Sequence, residues 1–325
     1  YQKEIIEEVP EVDAVLGTTS YGDIVKALEE AVAGNHFEEF RDIDYLPDTG
    51  SKRVLTTGGH FGYLKIAEGC DKYCTYCIIP KLRGKFRSVP MERLIAQAED
   101  MAEQGVKELI LVAQETTVYG KDLYGKKSLH ILLKKLCEIR GIRWIRVLYC
   151  YPEEIYDELI ETIRDEKKIC HYLDIPIQHA SDRILKRMGR RTSKQELIDI
   201  VGKLRKEIPD IVLRTTLITG FPGETEEDHE ELKEFVDEME FDRLGVFTYS
   251  PEENTPAAEM ADQVPEEVKE ERRDELMELQ QEISYDRGQD RIGQELLVMI
   301  EGKVADESAY IGRTYGDAPK VDGYI

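Results

Sequence analysis

No stretch of the 325-residue chain approaches the roughly eighteen uninterrupted apolar residues that a membrane-spanning helix needs, so a helical span is excluded. Residues 1–10 are acidic and lack the basic and apolar pattern of an export signal. There is no internal repeat and no low-complexity tract. Basic residues are scarce, with 44 Lys and Arg against 67 Asp and Glu, for a net charge of −23. A nucleic-acid binder needs basic surface to displace counterions, so this balance argues against direct RNA binding and for a basic protein as the macromolecular partner. The run Lys81-Leu82-Arg83-Gly84-Lys85-Phe86-Arg87 is a local exception, readable equally as a basic groove or a solvated loop. No Met opens the chain, and Tyr1 reads as a start inside a domain. Cysteine is sparse too, six in all, with none before Cys70.

What is present is a composition of 41% hydrophobic and 34% charged residues, as in soluble globular proteins, over a length that suits one large or two ordinary domains. Helical periodicity predicts helices at 21–33, 91–104, 129–137, 152–164, 194–206, 225–239 and 266–287. An acidic irregular connector follows the first of these, through residues 48–50, and Gly58-Gly59 precedes the first strand. Short apolar runs at 63–67, 108–113, 144–148, 172–175, 212–218 and 244–249 alternate with the later helices. That pattern predicts an α/β fold, a full or partial barrel of six parallel strands, with its chemistry at the carboxyl ends of the strands. The helix at 266–287 is charged on most faces and reads as a cover or spacer. Runs at 295–302 and 309–314 read as strands of a small all-β unit that ends soon afterwards.

The cysteines divide into two groups. Cys137, Cys150 and Cys170 are scattered and read as small buried hydrophobes. Cys70, Cys74 and Cys77 lie within eight residues, too close for a disulfide framework, and both groups fit a reducing cytoplasm. Three thiolates on one tight loop can cap three irons of a [4Fe–4S] cubane and leave the fourth open to the amino and carboxylate groups of S-adenosylmethionine. A structural zinc would want four ligands, and the nearest spare donor, His60, lies ten residues upstream of Cys70. A ferredoxin would want a fourth cysteine, and none follows Cys77 before Cys137.

The C-x3-C-x2-C loop at the end of the first barrel strand resembles that of the radical S-adenosylmethionine superfamily. The resemblance implies that Tyr76 lies against the adenine, and that Gln114 and Glu115, after the second strand, receive the amino group of the cofactor. It further implies cofactor contacts at Gln178, Ile218, Gly220, Glu224 and Tyr249. The segment 218–224 is similar to the superfamily's G-x-I-x-G-x-x-E element, with Thr216 in place of the first Gly; alone, Gly220-Phe221-Pro222-Gly223 is only a sharp turn. Segments 112–120, 185–191 and 249–257 narrow the resemblance to the methylthiotransferases, although Asn254 stands where Gly is expected.

Two branches of that family act on tRNA adenosine or on an aspartate of a small-subunit ribosomal protein (uS12). Segment 174–181, with Gln178-His179-Ala180-Ser181, resembles the ribosomal-protein branch, as do Arg313 and segment 317–323. By themselves, His179 reads as a hydrogen-bonded structural histidine and Gln178 as a partner for backbone groups. The resemblance implies a cytoplasmic enzyme that methylthiolates the β-carbon of that aspartate, taking electrons from a reductant such as flavodoxin or ferredoxin. Catalysis and metal binding fall to Cys70, Cys74 and Cys77. The competing readings are a tRNA methylthiotransferase and a non-catalytic zinc or iron–sulfur module.

The implied organisation is the tail of an N-terminal domain and a connector at 1–50, a partial (β/α)6 radical S-adenosylmethionine barrel at 51–285, and the start of a TRAM-like β unit, truncated, at 286–325. The family's N-terminal domain carries three further cysteines for a second cluster. Residues 1–17 resemble only its tail, so the second cluster is expected only in a full-length protein, and this chain is expected to cleave the cofactor without a sulfur-delivery site.

Overall fold

The structure, a computed structural model, describes residues 2–46, 54–57 and 59–325; the connector expected at 48–50 and Gly58 lie outside the described residues. Helix α1 (Gln2–Glu8) leads into β1 (Ala14–Leu16), α2 (Ile24–Val32) and β2 (Phe37–Glu39), and β1 pairs in parallel with β2. The helix expected at 21–33 is therefore a 3-10 turn at Tyr21–Asp23 followed by α2, the crossover of a small β-α-β unit. Its strands have three residues each, too few to show an alternation, and the expectation of an irregular connector after the helix missed β2.

The chain then runs through β3 (Phe61–Lys65), β4 (Ala67–Glu68), α3 (Ile79–Arg83), β5 (Arg87–Ser88), α4 (Met91–Glu103), β6 (Glu108–Val112), α5 (Lys121–Tyr124), α6 (Leu129–Glu138), β7 (Trp144–Val147), α7 (Asp157–Asp165), β8 (Ile169–Asp174), α8 (Asp182–Arg187), α9 (Lys194–Glu207), β9 (Val212–Thr219), α10 (Glu226–Met239), β10 (Arg243–Thr248) and α11 (Glu266–Gln289). Six strands form one parallel sheet in the order β10-β9-β8-β7-β6-β3, so the predicted six-stranded α/β core is present and open between its edges β3 and β10. Alternate side chains face opposite ways along each strand. Leu64, Leu109, Leu111, Ile145, Leu173, Leu213 and Leu217 join the large core under the helices, while Phe61, Ile110, Tyr172 and Val212 fill a second, inner cluster.

Two boundaries and one burial pattern depart from the sequence expectation. The run at 63–67 divides into β3 and β4, and β4 turns away to pair antiparallel with β5. The helix expected at 152–164 begins only at Asp157, because Pro152 opens a 3-10 turn and Ile155 and Tyr156 are extended. Asp157 and Glu158 then occupy the first turn, where acidic side chains are favoured by the helix dipole. The third is α11, read from its charge as a cover or spacer. It does cover β10 and α10, but Lys269, Arg272, Leu276, Gln280 and Ile283 form a buried stripe along it. The charged members stay inside because each is paired: Lys269 Nζ donates to the Tyr249 carbonyl at 3.0 Å, and Arg272 meets Glu224 at 2.9 Å.

Strands β11 (Met299–Lys303) and β12 (Tyr310–Arg313) pair antiparallel, after which the chain tucks against the inner face of the barrel and buries Arg313, Asp317 and Ala318. Arg313 reaches Glu108 of β6 at 2.7 Å, and Arg146 of β7 reaches the other oxygen of the same carboxylate at 2.7 Å. All three side chains are fully buried. Among the described residues no helix is long and apolar enough to cross a membrane.

Candidate active site

The cysteine loop leaves β4 through Gly69, whose φ of +75° is open mainly to glycine and whose missing side chain makes room for the Gly84 and Lys85 carbonyls. Gly69→Ala is therefore expected to destabilise the protein by about 2 kcal/mol or more. It should also lower the iron held per chain after reconstitution; unchanged loading and an unchanged Tm would refute this. The loop is tied down from distant parts of the chain. Thr75 N donates to Met188 O at 2.9 Å, Thr75 Oγ1 to Arg187 O at 2.8 Å, and Ala257 N to Thr75 O at 2.9 Å. These bonds explain why segments 185–191 and 249–257 matter: they clamp the loop from both sides.

Cys70 and Cys74 are buried and Cys77 is half-buried. Burial pushes the Cys70 thiol up to about 11, with the Cys74 sulfur adding to the effect, and burial raises Cys77 as well. Without a cation the loop thus prefers thiols, and iron must displace their protons, as in any thiolate site. Among the described residues no three His, Cys, Asp or Glu side chains form a group that could hold a single metal ion. A cubane makes a different demand, one thiolate at each of three separated irons.

Tyr76, Ile218 and Tyr249, far apart in sequence, meet around Phe221. The Tyr76 ring stands edge-on to Phe221 at 6.4 Å, and Phe221 edge-on to Tyr249 at 5.4 Å. Phe221 was not singled out from the sequence, where it was one letter of a turn. Gly220 and Gly223 take φ of +67° and +80° in that turn, and a side chain on Gly220 would strike Lys269.

Glu224 does not face the apolar patch. Its Oε2 accepts from Gly220 N at 2.9 Å and Phe221 N at 3.3 Å, and its Oε1 pairs with Arg272. Burial alone would raise its pKa, yet the donors from His179, Gly220 and Arg272 hold it below the usual carboxylate range. Glu224 thus acts on the turn that carries Gly220 and Phe221. His179 Nδ1 accepts from Ser181 N at 3.0 Å, which leaves the proton on Nε2, 3.4 Å from Glu224. Gln178 sits at φ +73°; its N–H donates to Thr216 O and its carbonyl accepts from Ile218 N, both at 2.9 Å. His179 therefore has the hydrogen-bonded structural setting that the sequence alone suggested, while these bonds of Gln178 are those of its main chain.

Asp228 fastens the next helix. It closes the capping box of α10 with Thr225, accepts the Ser181 hydroxyl at 2.7 Å and pairs with Arg183. Burial works against its charge, but those donors hold the carboxyl well below its ordinary 3.8. A depressed carboxylate contributes stability above its unfolded pKa that is lost as pH falls toward the folded one. Asp228→Asn is accordingly expected to cost about 1–3 kcal/mol at neutral pH. The gap between the two proteins should close as pH drops below 3.8 in chemical denaturation; a gap that stays constant on acidification would refute the assignment.

On the other side of the cysteine loop, Glu115 Oε1 accepts from Thr117 N at 2.9 Å, while its buried Oε2 has no hydrogen bond and lies 3.6 Å from Lys72 Nζ. Burial pushes this carboxyl up to about 7, against the pull of Thr117 and Lys72. Gln114 donates to Glu68 at 3.4 Å and leaves its own Oε1 buried without a partner. Glu115 and Cys70 both line a cavity of about 320 Å³. Two buried acceptors without donors beside the cysteines suit an incoming ammonium group.

Arg190 was not assigned from the sequence. Its guanidinium is buried 4.3 Å over the Tyr151 ring, donates to Pro176 O at 3.0 Å, and leaves Nε and Nη1 without partners. Tyr151 Oη in turn lies 3.7 Å from Cys74 Sγ. The Arg190-Arg191 pair was visible as part of a motif, but nothing local separates a buried arginine from an exposed one.

Comparison with known proteins agrees with this geometry. A family model described as the Radical SAM superfamily matches residues 64–236, and one described as the TRAM domain matches residues 292–325. The chain is 64% identical over 325 residues to the ribosomal protein uS12 methylthiotransferase RimO of Lachnoclostridium phytofermentans, covering 100% of this chain and 74% of that protein. It is 52% identical over 327 residues to the protein of the same name from Clostridium perfringens, covering 100% and 73%. Among solved structures, coproporphyrinogen III oxidase (HemN) of Escherichia coli, a radical SAM enzyme, aligns with a TM-score of 0.54 at 19% identity, over 69% of this chain and 53% of that one. The radical S-adenosylmethionine methyltransferase TsrM of Kitasatospora setae, with cobalamin and a [4Fe–4S] cluster bound, aligns at 0.50 and 16% identity over 61% and 38%. At these identities the solved structures speak for the fold alone.

Proposed function

Because the chain belongs to the ribosomal protein uS12 methylthiotransferases of the radical SAM superfamily, we propose that Cys70, Cys74 and Cys77 hold its [4Fe–4S] cluster and that the side chains around them hold S-adenosylmethionine. The enzyme is a methylthiotransferase, and its substrate is the ribosomal protein uS12. The names of the relatives bear out the ribosomal-protein branch over the tRNA branch, and an enzyme over a zinc or iron–sulfur module. The observation that carries the site assignment is the clamped loop, three thiols on one turn flanked by orphaned buried acceptors and by an apolar aromatic patch.

When bound, the cluster and S-adenosylmethionine supply a 5′-deoxyadenosyl radical that can take hydrogen from an unreactive carbon, here the β-carbon of an aspartate. The chain's own residues bind and orient. Tyr76, Ile218, Phe221 and Tyr249 offer an apolar wall for the adenine and keep water from it. Gln114 Oε1 and Glu115 Oε2 accept from the amino group. Gly220 and Glu224 shape the turn that presents Phe221, and Gln178 links β8 to β9 at the barrel mouth. Arg190 places a buried positive charge near Cys74, stacked over Tyr151.

A low-potential reductant such as flavodoxin or ferredoxin delivers the electron, with the basic run at 81–87 beside the loop as the complement to an acidic donor. Direct RNA binding is disfavoured by the net charge of −23. The free thiols suit a cytoplasmic location. The proposed division is 1–50, 51–285 and 286–325, and its last boundary falls inside α11, which runs on to Gln289. A second cluster is assigned to no residue of this sequence, since Cys137, Cys150 and Cys170 lie apart from the loop in the packed core.

Anaerobic reconstitution tests the site. About four irons per chain and dithionite-dependent 5′-deoxyadenosine are expected. A single zinc with no cofactor cleavage would overturn it.

A further inference from the structure

The inner face of the barrel carries a cation that the site described above does not use. Arg214 points inward from β9, where its Nη1 donates to Asp174 Oδ1 at 2.9 Å and to Thr216 Oγ1 at 3.3 Å, and its Nε lies 3.4 Å from Asp322. Among the described residues no hydrogen bond engages Nη2. That nitrogen faces a cavity of about 760 Å³ at the free edge of β10, lined by Arg214, Arg243, Gly245, Asp274, Glu278 and Asp322. Arg243 is held by Asp317 at 2.7 Å and by the Asp242 carbonyl at 2.8 Å and its remaining Nε is buried, whereas Arg214 Nη2 lies against Gly245 in the cavity wall.

Gly245 keeps that donor open. Its backbone is in a conformation any residue adopts, so the turn chemistry of glycine is not what the position uses. A Cβ there would sit 3.7 Å from Arg214 Nη2, and any larger side chain would cover it.

Tyr149 is joined to the same ion pair through Asp174. It takes φ +60°, rare for a bulky residue, and is held there as its N–H donates to Asp174 Oδ2 at 3.2 Å and its carbonyl accepts from Thr116 Oγ1 at 2.9 Å. Its ring is nevertheless 51% exposed. Burial and Asp174 raise the phenol's pKa while Arg214 opposes them. A strained, exposed aromatic fixed by the same Asp174 that holds the half-used guanidinium suits a substrate clamp.

We propose that Arg214 Nη2 receives the carboxylate of the substrate aspartate in this cavity, with Tyr149 packed over it and Gly245 leaving the space. The inference rests on the proposed function, from which the substrate class follows: a basic protein loop carrying one aspartate. Exposed Asp274 and Glu278 at the cavity rim meet the basic flanks of such a loop, while the open guanidinium of Arg214 selects its acidic residue.

The test is fluorescence anisotropy on the reconstituted protein with S-adenosylmethionine, using a labelled basic peptide with one central Asp and its Asn counterpart. The wild type is expected to prefer the Asp peptide about tenfold, as a charge-assisted bond would give. Arg214→Gln should bring that preference to within about twofold. Iron content and far-UV circular dichroism check that the variant is intact. Because Arg214 is also paired internally, Gly245→Val serves as the second variant; it leaves the ion pairs in place and should likewise erase the Asp preference. Retention of the preference in both variants would overturn the inference, as would equal binding of both peptides by the wild type. Weakened S-adenosylmethionine binding in Arg214→Gln with peptide preference intact would reassign the cation to the cofactor. A wild type that binds neither peptide would instead count against the substrate reading itself.

Discussion

Cys74→Ala is expected to abolish cofactor cleavage. Each of the three thiolates takes one iron, and with two left the cubane has no third anchor. The loss is not local to one sulfur. Cys74 is buried beside Tyr151 and lies in the field of Arg190, in a loop whose backbone is clamped by Met188 and Ala257. Ala would leave that frame intact, so the protein should fold while its iron falls from about four to below about one per chain. Formation of 5′-deoxyadenosine should drop by about a thousandfold or more, since no open iron remains to hold the cofactor. Cys150→Ala and Cys170→Ala make the contrast. Both residues are buried in hydrophobic clusters, so their loss should cost about 1 kcal/mol of packing and leave iron loading unchanged. Equal iron in Cys74→Ala and the wild type would refute the ligand assignment.

The second large effect is on stability. Glu108 of β6 is fully buried between Arg146 of β7 and Arg313 at the end of β12, each at 2.7 Å. Arg313 also meets Glu301, which in turn pairs with His60 at 2.8 Å. Glu108→Gln keeps the shape and removes the charge, which strands the buried Arg146 guanidinium and leaves Arg313 with Glu301 alone. Breaking a buried pair from one side costs roughly 3–5 kcal/mol. For a chain of this size that is a fall in Tm of order 10 °C. The C-terminal unit should also become protease-sensitive first, because Arg313 is its anchor in the barrel. Replacing Glu108, Arg146 and Arg313 together by apolar residues of similar size should cost much less, since no charge is then left uncompensated. A loss below about 1 kcal/mol in Glu108→Gln would show the network to be incidental.

Three cysteines at fixed spacing carry their chemistry locally, so the cluster loop was legible in the sequence. The turn at 218–224 was legible as a turn, and so was Glu224 as a member of it, but not that its carboxylate faces the backbone rather than a ligand. That depends on Arg272, forty-eight residues away on a helix that read as a cover or spacer. Arg190 and Arg214 were opaque for the same reason: an arginine in a sequence is a charge, and its partners decide whether it is a surface ornament, a buried counter-ion or a free donor. Tyr149 is a further case, since its left-handed backbone is imposed by Asp174 and Thr116 across neighbouring strands.

The sequence by itself determined the alternation of strands and helices, the six-stranded parallel core, the thiolate loop and the acidic charge that favours a basic substrate, but not that the sheet stays open between β3 and β10. Each of these follows from periodicity, spacing or composition, which are local properties. Only the tertiary structure decided that Tyr76, Ile218, Phe221 and Tyr249 form one wall, that Glu108 binds the C-terminal unit to the barrel, and that Arg214 keeps a donor open. Those outcomes depend on desolvation and pairing between residues tens to hundreds of positions apart, and burial sets their energies only after the chain has closed on itself.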